Sequence, residues 1–358
     1  MGLNPSFWND KKVLITGHTG FKGSWLCLWL NKMRAKVNGL SLQEPVSDPN
    51  MFSVLSIKEL INDCRGDIVD FDICLQTIKK LEPEIVFHMA AQPLVRESYS
   101  SPRDTYNTNV IGTANILDAS VNCESVKTIV AITTDKCYEN IEKDYAYKET
   151  DPLGGHDPYS SSKACAEHVA SAYYRSFCKE KEIGLATVRA GNVIGGGDWS
   201  ADRIIPDLIK AWSNNEKLII RNPKATRPWQ HVLDPLCGYL ILAEHLWDKP
   251  DKYSGGWNFG PDHNSVKTVQ DTVERAVKVW GEDASWGTSN TQNLHEAKLL
   301  QLNSEKAYSL LGWSPRYHFD KAVSETIRWY KEYYSSKQDM LELSLNQILE
   351  YENRYIYV

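Results

Sequence analysis

At 358 residues, with 42% hydrophobic and 24% charged side chains, the chain has the composition of a folded globular protein of one large or two ordinary domains. A formal net charge of −6 excludes a general pull toward nucleic acid or anionic membrane, so any anionic ligand must be held by a local site. The eight cysteines form no C-x-x-C pair, the nine histidines show no metal-ligand spacing, and no apolar run reaches membrane-spanning length. The expectation is therefore reduced thiols, no metal and a cytoplasmic location.

The start, Met1-Gly2-Leu3-Asn4-Pro5-Ser6, matches a myristoylation pattern formally, but no polybasic partner follows and so short a match arises readily by chance. Residues 12–15 then read as a buried strand, 17–23 as a tight turn, and 23–32 as a helix whose apolar face carries Trp25, Leu26, Leu28 and Trp29. Further strands are predicted over 36–40, 85–88, 128–133 and 184–189, with helices between them, notably over 102–121 and 159–179. This alternation predicts an α/β fold, a doubly wound parallel sheet of Rossmann type covered on both faces. After Arg189 the texture changes to short elements rich in Trp, Asn and Pro, opened by the loop Gly195-Gly196-Gly197. Residues 1–190 are read as a dinucleotide-binding domain and 191–358 mainly as a smaller C-terminal substrate-binding lobe. The segment from about 237 to 262 is expected to return to the first domain.

The turn Thr16-Gly17-His18-Thr19-Gly20-Phe21-Lys22-Gly23 lies between a predicted strand and a predicted helix. Small residues there let the backbone approach a pyrophosphate, and the helix start offers free N–H groups and a positive dipole end. The bland alternative is a structural turn. His18 and Lys22 sit within reach of cofactor phosphates. The acidic residue that usually ends the second strand on the adenosine ribose is not evident in Gly39-Leu40-Ser41-Leu42-Gln43-Glu44, where Ser41 offers a weaker hydrogen bond. No Arg or Lys waits there for a 2′-phosphate, so NAD is expected rather than NADP, and weakly retained. Asp67-Ile68 is a candidate for the adenine edge, with a solvated loop carboxylate as the alternative for Asp67.

Tyr159 and Lys163 stand four apart in Tyr159-Ser160-Ser161-Ser162-Lys163 and project from one helix face, where an ammonium favours tyrosinate and makes the phenol a usable base. Thr133-Thr134-Asp135-Lys136 falls at a strand's C-terminal end, where open parallel sheets hold their ligands. Either motif alone is also compatible with a surface pair or a loop cap.

Their order, with His88-Met89-Ala90-Ala91-Gln92, Asn109-Val110-Ile111-Gly112-Thr113 and Arg189-Ala190-Gly191-Asn192, resembles the extended short-chain dehydrogenase/reductase superfamily over essentially the whole chain. Thr134-Asp135-Lys136, Gly154-Gly155-His156-Asp157-Pro158 and Gly195-Gly196-Gly197-Asp198-Trp199 are similar to the sugar-nucleotide 4,6-dehydratases, and among them to the group acting on CDP-glucose, in which lysine replaces the usual glutamate after Asp135. The resemblance implies an internal redox cycle on NAD, with Tyr159, Lys163 and Thr134 serving C4, Asp135 as the acid at C6, and Lys136 serving C5. Lys136 acts there either as a base or as a fixed cation that stabilises the enolate. Ala90 and Ala91 are implied on the cofactor side. Arg96, Asn192, Arg203, Arg227 and Asn258 are implied around the nucleotide sugar, the arginines suited to bidentate phosphate recognition. Helices 102–121 and 159–179 resemble a pair that builds a dimer in this superfamily, so a homodimer or dimer-based homo-oligomer is expected, with packing inside one subunit as the alternative. A dehydratase for another nucleotide sugar, a 4-epimerase of the same fold, and a non-catalytic NAD-binding regulator are the competing readings.

Overall fold

The central sheet is built from seven short strands, five of which are apolar enough to be buried on both faces. The structure, a computed structural model, describes residues 2–45, 47–288 and 300–354. The strands are β1 (Lys12–Thr16), β2 (Lys36–Ser41), β3 (Asn62–Arg65), β4 (Ile85–His88), β5 (Thr128–Ile132), β6 (Gly184–Arg189) and β7 (Gly255–Asn258). All pairings are parallel, in the order β7-β6-β5-β4-β1-β2-β3. Alternation along each strand sends neighbouring side chains to opposite faces. Val13 and Ile15 enter the larger core cluster while Leu14 enters the second one, and from β4 Phe87 enters the larger and Val86 the second. The order reverses between β1 and β4, and such a switch point opens a crevice beyond the strand ends.

Helix α1 (Phe21–Lys32) follows β1 and buries every residue from Gly23 to Leu30, the expected apolar stripe widened to the whole circumference. The predicted helix over 102–121 is three pieces in continuous succession: Pro102–Tyr106, a π turn over Asn107–Ile111, and α2 (Gly112–Val121). That turn directs Asn109, whose amide pairs with the Gln92 backbone and donates to Ser162 Oγ at 2.8 Å. The second long helix, α3 (Pro158–Tyr173), starts with proline at its first position and an Asp157 side-chain cap on the Ser160 N–H, and runs into a π turn over Tyr174–Cys178.

Beyond β6 the chain forms a small lobe. Helix Ile204–Ser213 leads to strand Leu218–Ile220, parallel to Trp286–Thr288, and strand Thr226–Pro228 runs antiparallel to Val266–Thr268. Two stretches after residue 190 belong physically to the central sheet. Helix α4 (Leu233–Asp248), almost wholly buried, packs beneath β5 and β6, and β7 extends the sheet beside β6. The last helix, α5 (Met340–Asn353), which sequence reading grouped with the second lobe, docks on α1. Trp29 meets Tyr351 edge to face and donates to Glu352 at 2.8 Å, and Lys32 pairs with the same carboxylate. Among the described residues no helix is long and apolar enough to cross a membrane, and the eight cysteines are unbonded.

Candidate active site

The switch point is fastened before any ligand is considered. Thr16 Oγ1, at the end of β1, accepts from the Met89 and Ala90 N–H groups at 3.1 Å each and pairs with His88 Nδ1 at 2.8 Å, while His88 Nε2 meets Thr113 Oγ1 at 3.0 Å. Gly17 then turns with φ +73°, in the left-handed region, and a Cβ there would stand 2.7 Å from the Ala90 nitrogen. A Cβ on Gly23 would stand 2.3 Å from the Gly17 carbonyl oxygen, so the first turn of α1 lies directly on the loop. The resulting cradle has a helix N-terminus at one wall and no side chains at its closest points, the form a pyrophosphate requires. A dinucleotide fits these residues.

From this cradle a cavity of about 540 Å³ runs between the two lobes. Gly17, Gly20, Phe21, Lys22, Gly23 and Ser41 line its first part, with Asp67, Ile68, Ala90 and Ala91 beside them. His18 does not. Its ring is fully buried away from the cavity, with Nδ1 2.9 Å from Ser41 Oγ and Nε2 2.8 Å from Asp63 Oδ1, and burial lowers its pKa despite the carboxylate. The expected His18 phosphate contact is thus corrected to a brace between β2 and β3. Ser41 is engaged as well, also accepting from the Thr19 N–H at 3.3 Å. Asp67 accepts from the Val69 N–H at 2.9 Å, which fixes its loop.

Thr134, Asp135, Lys136, Tyr159 and Lys163 converge on the middle of the cavity. The first three leave the end of β5 as a single 3-10 turn, with Thr134 Oγ1 2.9 Å from Asp135 Oδ1 and Thr134, Asp135, Tyr159 and Lys163 all buried. Burial pushes the Tyr159 phenol up to about 12, opposed by a hydrogen bond with Thr134 and by the Arg203 guanidinium. Burial pushes the Lys163 ammonium down to about 8, and that ammonium donates to the Ile132 carbonyl at 3.1 Å. Lys22 is likewise pushed down to about 8 by burial and by Arg203, and Asp135 opposes the shift. Its charge therefore acts among the catalytic groups as well as at the loop.

One buried carboxylate holds the ends of β5 and β6 together. Glu167, on α3, accepts from Thr133, from Thr187 at 2.6 Å, and from Arg189 at 2.9 and 2.7 Å. Arg189 continues to the Tyr138 hydroxyl at 2.6 Å, and that hydroxyl donates to Asn258 Oδ1 at 2.7 Å. Asn258 completes its bonding with the Tyr147 and Asn303 carbonyls at 2.8 and 3.1 Å, fully buried and outside the cavity lining. The expected substrate contact at Asn258 is corrected to a structural tie between β7 and the segments beside it.

The other expected substrate residues, Arg96, Asn192, Arg203 and Arg227, also line the cavity. Arg203 pairs with Asp198 at 2.8 Å, and Arg96 with Asp202 at 2.9 Å. Arg221 is a lining residue that sequence reading missed, 3.6 Å from the same Asp202 carboxylate. Its signal was an arginine ending the short apolar run Leu218-Ile219-Ile220.

The sequence profile of the GDP-mannose 4,6 dehydratase family matches residues 14–326. The CDP-glucose 4,6-dehydratase of Salmonella typhimurium is 47% identical over 354 residues, covering 98% of each chain. The dTDP-glucose 4,6-dehydratase of Haemophilus influenzae is 25% identical, covering 89% of this chain and 97% of its own. Among solved structures, dTDP-glucose 4,6-dehydratase from Bacillus anthracis in complex with NAD superimposes with a TM-score of 0.75 at 23% identity, over 93% of this chain and 99% of that one, a likeness of fold.

Proposed function

Because this chain belongs to the GDP-mannose 4,6 dehydratase family, we propose that it is an NAD-dependent lyase converting CDP-glucose to CDP-4-keto-6-deoxyglucose. The observation that carries the reading is the meeting of Thr134, Asp135 and Lys136 with Tyr159 and Lys163 in one cavity that opens on the glycine cradle. The choice of CDP-glucose rests on the 47% identity to the Salmonella typhimurium protein of that activity. Bound NAD supplies a hydride acceptor for C4 and a hydride donor for C6.

The residues of this chain supply the proton traffic. Tyr159 takes the C4 hydroxyl proton. The Thr134 hydrogen bond and the Arg203 guanidinium favour its phenolate, against the burial that disfavours it. The C4 ketone acidifies the C5 proton, and Lys136 removes that proton or stabilises the enolate as a fixed cation. Asp135 delivers a proton to the C6 hydroxyl so that water leaves. Arg96, Arg203, Arg221 and Arg227 line the cavity, three of them paired with Asp198 or Asp202, and their guanidinium donors suit the substrate's diphosphate. Ser41 at the end of β2, in place of a carboxylate, makes NAD a loosely held cofactor that must be added to purified protein.

The active form is a homodimer, or an oligomer of such dimers, formed through the helices over 102–121 and 159–179, along which Tyr106, Ile111 and Phe177 are exposed. The eight free cysteines accord with the reducing cytoplasm. The test of the substrate assignment is incubation with CDP-glucose, UDP-glucose, dTDP-glucose and GDP-mannose, each with added NAD. A 4-keto-6-deoxy product from CDP-glucose at the highest kcat/KM is expected. Preference for another donor would discard the cytidine assignment and keep the chemistry.

A further inference from the structure

The carboxyl group of Asp135 occupies space that any side chain at residue 191 would need. A Cβ built on Gly191 would stand 1.8 Å from Asp135 Oδ2 and 2.3 Å from its Cγ. The backbone does not demand glycine here, since Gly191 lies outside the left-handed region that other glycines of the chain adopt. What glycine provides is room. Its position is in turn fixed from behind: the side-chain amide of Gln230, fully buried, donates to the Gly191 carbonyl at 3.0 Å and to the Phe259 carbonyl at 2.9 Å. On the other side of the carboxyl, the Thr134 hydroxyl holds Oδ1 at 2.9 Å. Asp135 is 2% exposed, yet it lines the cavity.

We propose that Gly191 is a positioning residue for the acid of the reaction: the bare Cα, anchored by Gln230, is the seat against which the Asp135 carboxyl rests and which aims it at the leaving hydroxyl. This rests on Asp135 being that acid. A methyl group at 191 has to displace the carboxyl by more than an ångström to reach a tolerable contact, and the displacement breaks the Thr134 bond or turns the acid from the substrate. The atoms nearest the added methyl group all belong to Asp135, none to the glycine cradle or to the arginines that line the cavity.

The experiment compares wild type, G191A and D135N on CDP-glucose and on its 6-deoxy-6-fluoro analogue, whose fluoride leaves as an anion without needing a proton. On CDP-glucose, G191A is expected to lose at least about tenfold in kcat, a part of the roughly 10² to 10⁴ that a positioned acid contributes, while KM stays within about twofold. On the fluoro analogue the loss shrinks to within about threefold, because the displaced group is no longer needed. D135N is expected to show the same rescue from a deeper loss. If D135N turns over CDP-glucose like wild type, the acid assignment itself is wrong. If D135N fails and G191A does not, or if G191A is equally impaired on both substrates, the seat is wrong. Should G191A not fold, the same substitution in the D135A background decides the matter, since the atoms it collides with are gone. A melting temperature equal to that of D135A alone supports the seat, and a double variant that still fails to fold overturns it.

Discussion

At the scale of single residues, the departure of Lys136 from the usual glutamate is where the account is most exposed. Lys136 lines the cavity beside Asp135 and takes no part in the cradle around Gly17 and Gly23. K136A is therefore expected to bind NAD as wild type does while losing about 10² or more in dehydration, measured by cofactor titration and by product formation. Unchanged turnover would remove Lys136 from the chemistry. A second residue-level expectation concerns His231, whose ring lies fully buried between Trp25 and Tyr317 and is pushed down to about 3 by burial, with Lys321 acting in the same direction. The folded chain keeps this imidazole neutral, while the unfolded chain protonates it below its ordinary value near 6.5. Lowering the pH from 6.5 toward 3 therefore favours unfolding. Replacing it (H231F) removes that contribution, so the melting temperature of the variant gains on wild type as the pH falls through this window; a difference that stays constant would contradict the buried neutral histidine. Motif residues were legible as types and spacings, but their directions were not. His18 and Asn258 stand within motifs that carry function, and both turn into the fold because polar partners wait there: Ser41 and Asp63 for one, Tyr138, Tyr147 and Asn303 for the other.

At the scale of elements, the apolar strands and the glycine turn were legible because burial on two faces leaves near-continuous hydrophobic runs. Strands β4 and β6 coincide with their predicted ranges. The two edge strands were not legible. Asn62-Asp63-Cys64-Arg65 and Gly255-Gly256-Trp257-Asn258 carry too few apolar residues to read as strands, and they pair on one side only. The π turns after Tyr106 and Tyr173 were also invisible, since composition does not register one extra residue in a turn. The clamp at Glu167 links three elements, and its energetics can be tested. Removing the carboxylate (E167A) leaves Arg189 buried without its partner and frees both Thr133 and Thr187 at the ends of β5 and β6. A loss of about 3–5 kcal/mol in unfolding free energy is expected, read from denaturant unfolding. A loss below about 1 kcal/mol, the range of exposed pairs, would mean that the clamp contributes little.

At the scale of the whole molecule, the change of texture after Arg189 was read as the start of a second lobe, but chain order does not follow spatial order. Helix α4 is buried around nearly its whole circumference because it lies beneath the sheet, and α5 closes over α1 through Trp29, Tyr351 and Glu352. Contacts between segments more than 300 residues apart leave no local periodicity to read. The exposed apolar side chains along the helices over 102–121 and 159–179 lead to a prediction about assembly. Wild type is expected at twice the chain mass by light scattering, and I111D, which puts a charge at a half-exposed isoleucine in that face, as a monomer. A monomeric wild type would contradict the dimer.

The central claim is that one site oxidises C4, eliminates water across C5 and C6, and reduces C6 without releasing its reducing equivalent. It is tested most directly with CDP-glucose deuterated at C4, converted with NAD in ordinary water and followed by mass spectrometry and NMR of the sugar. The account predicts a 4-keto-6-deoxy product with the deuterium at C6 and a solvent hydrogen at C5. Deuterium returned to C4 of an epimerised or unchanged sugar, or lost from the sugar altogether, would contradict it.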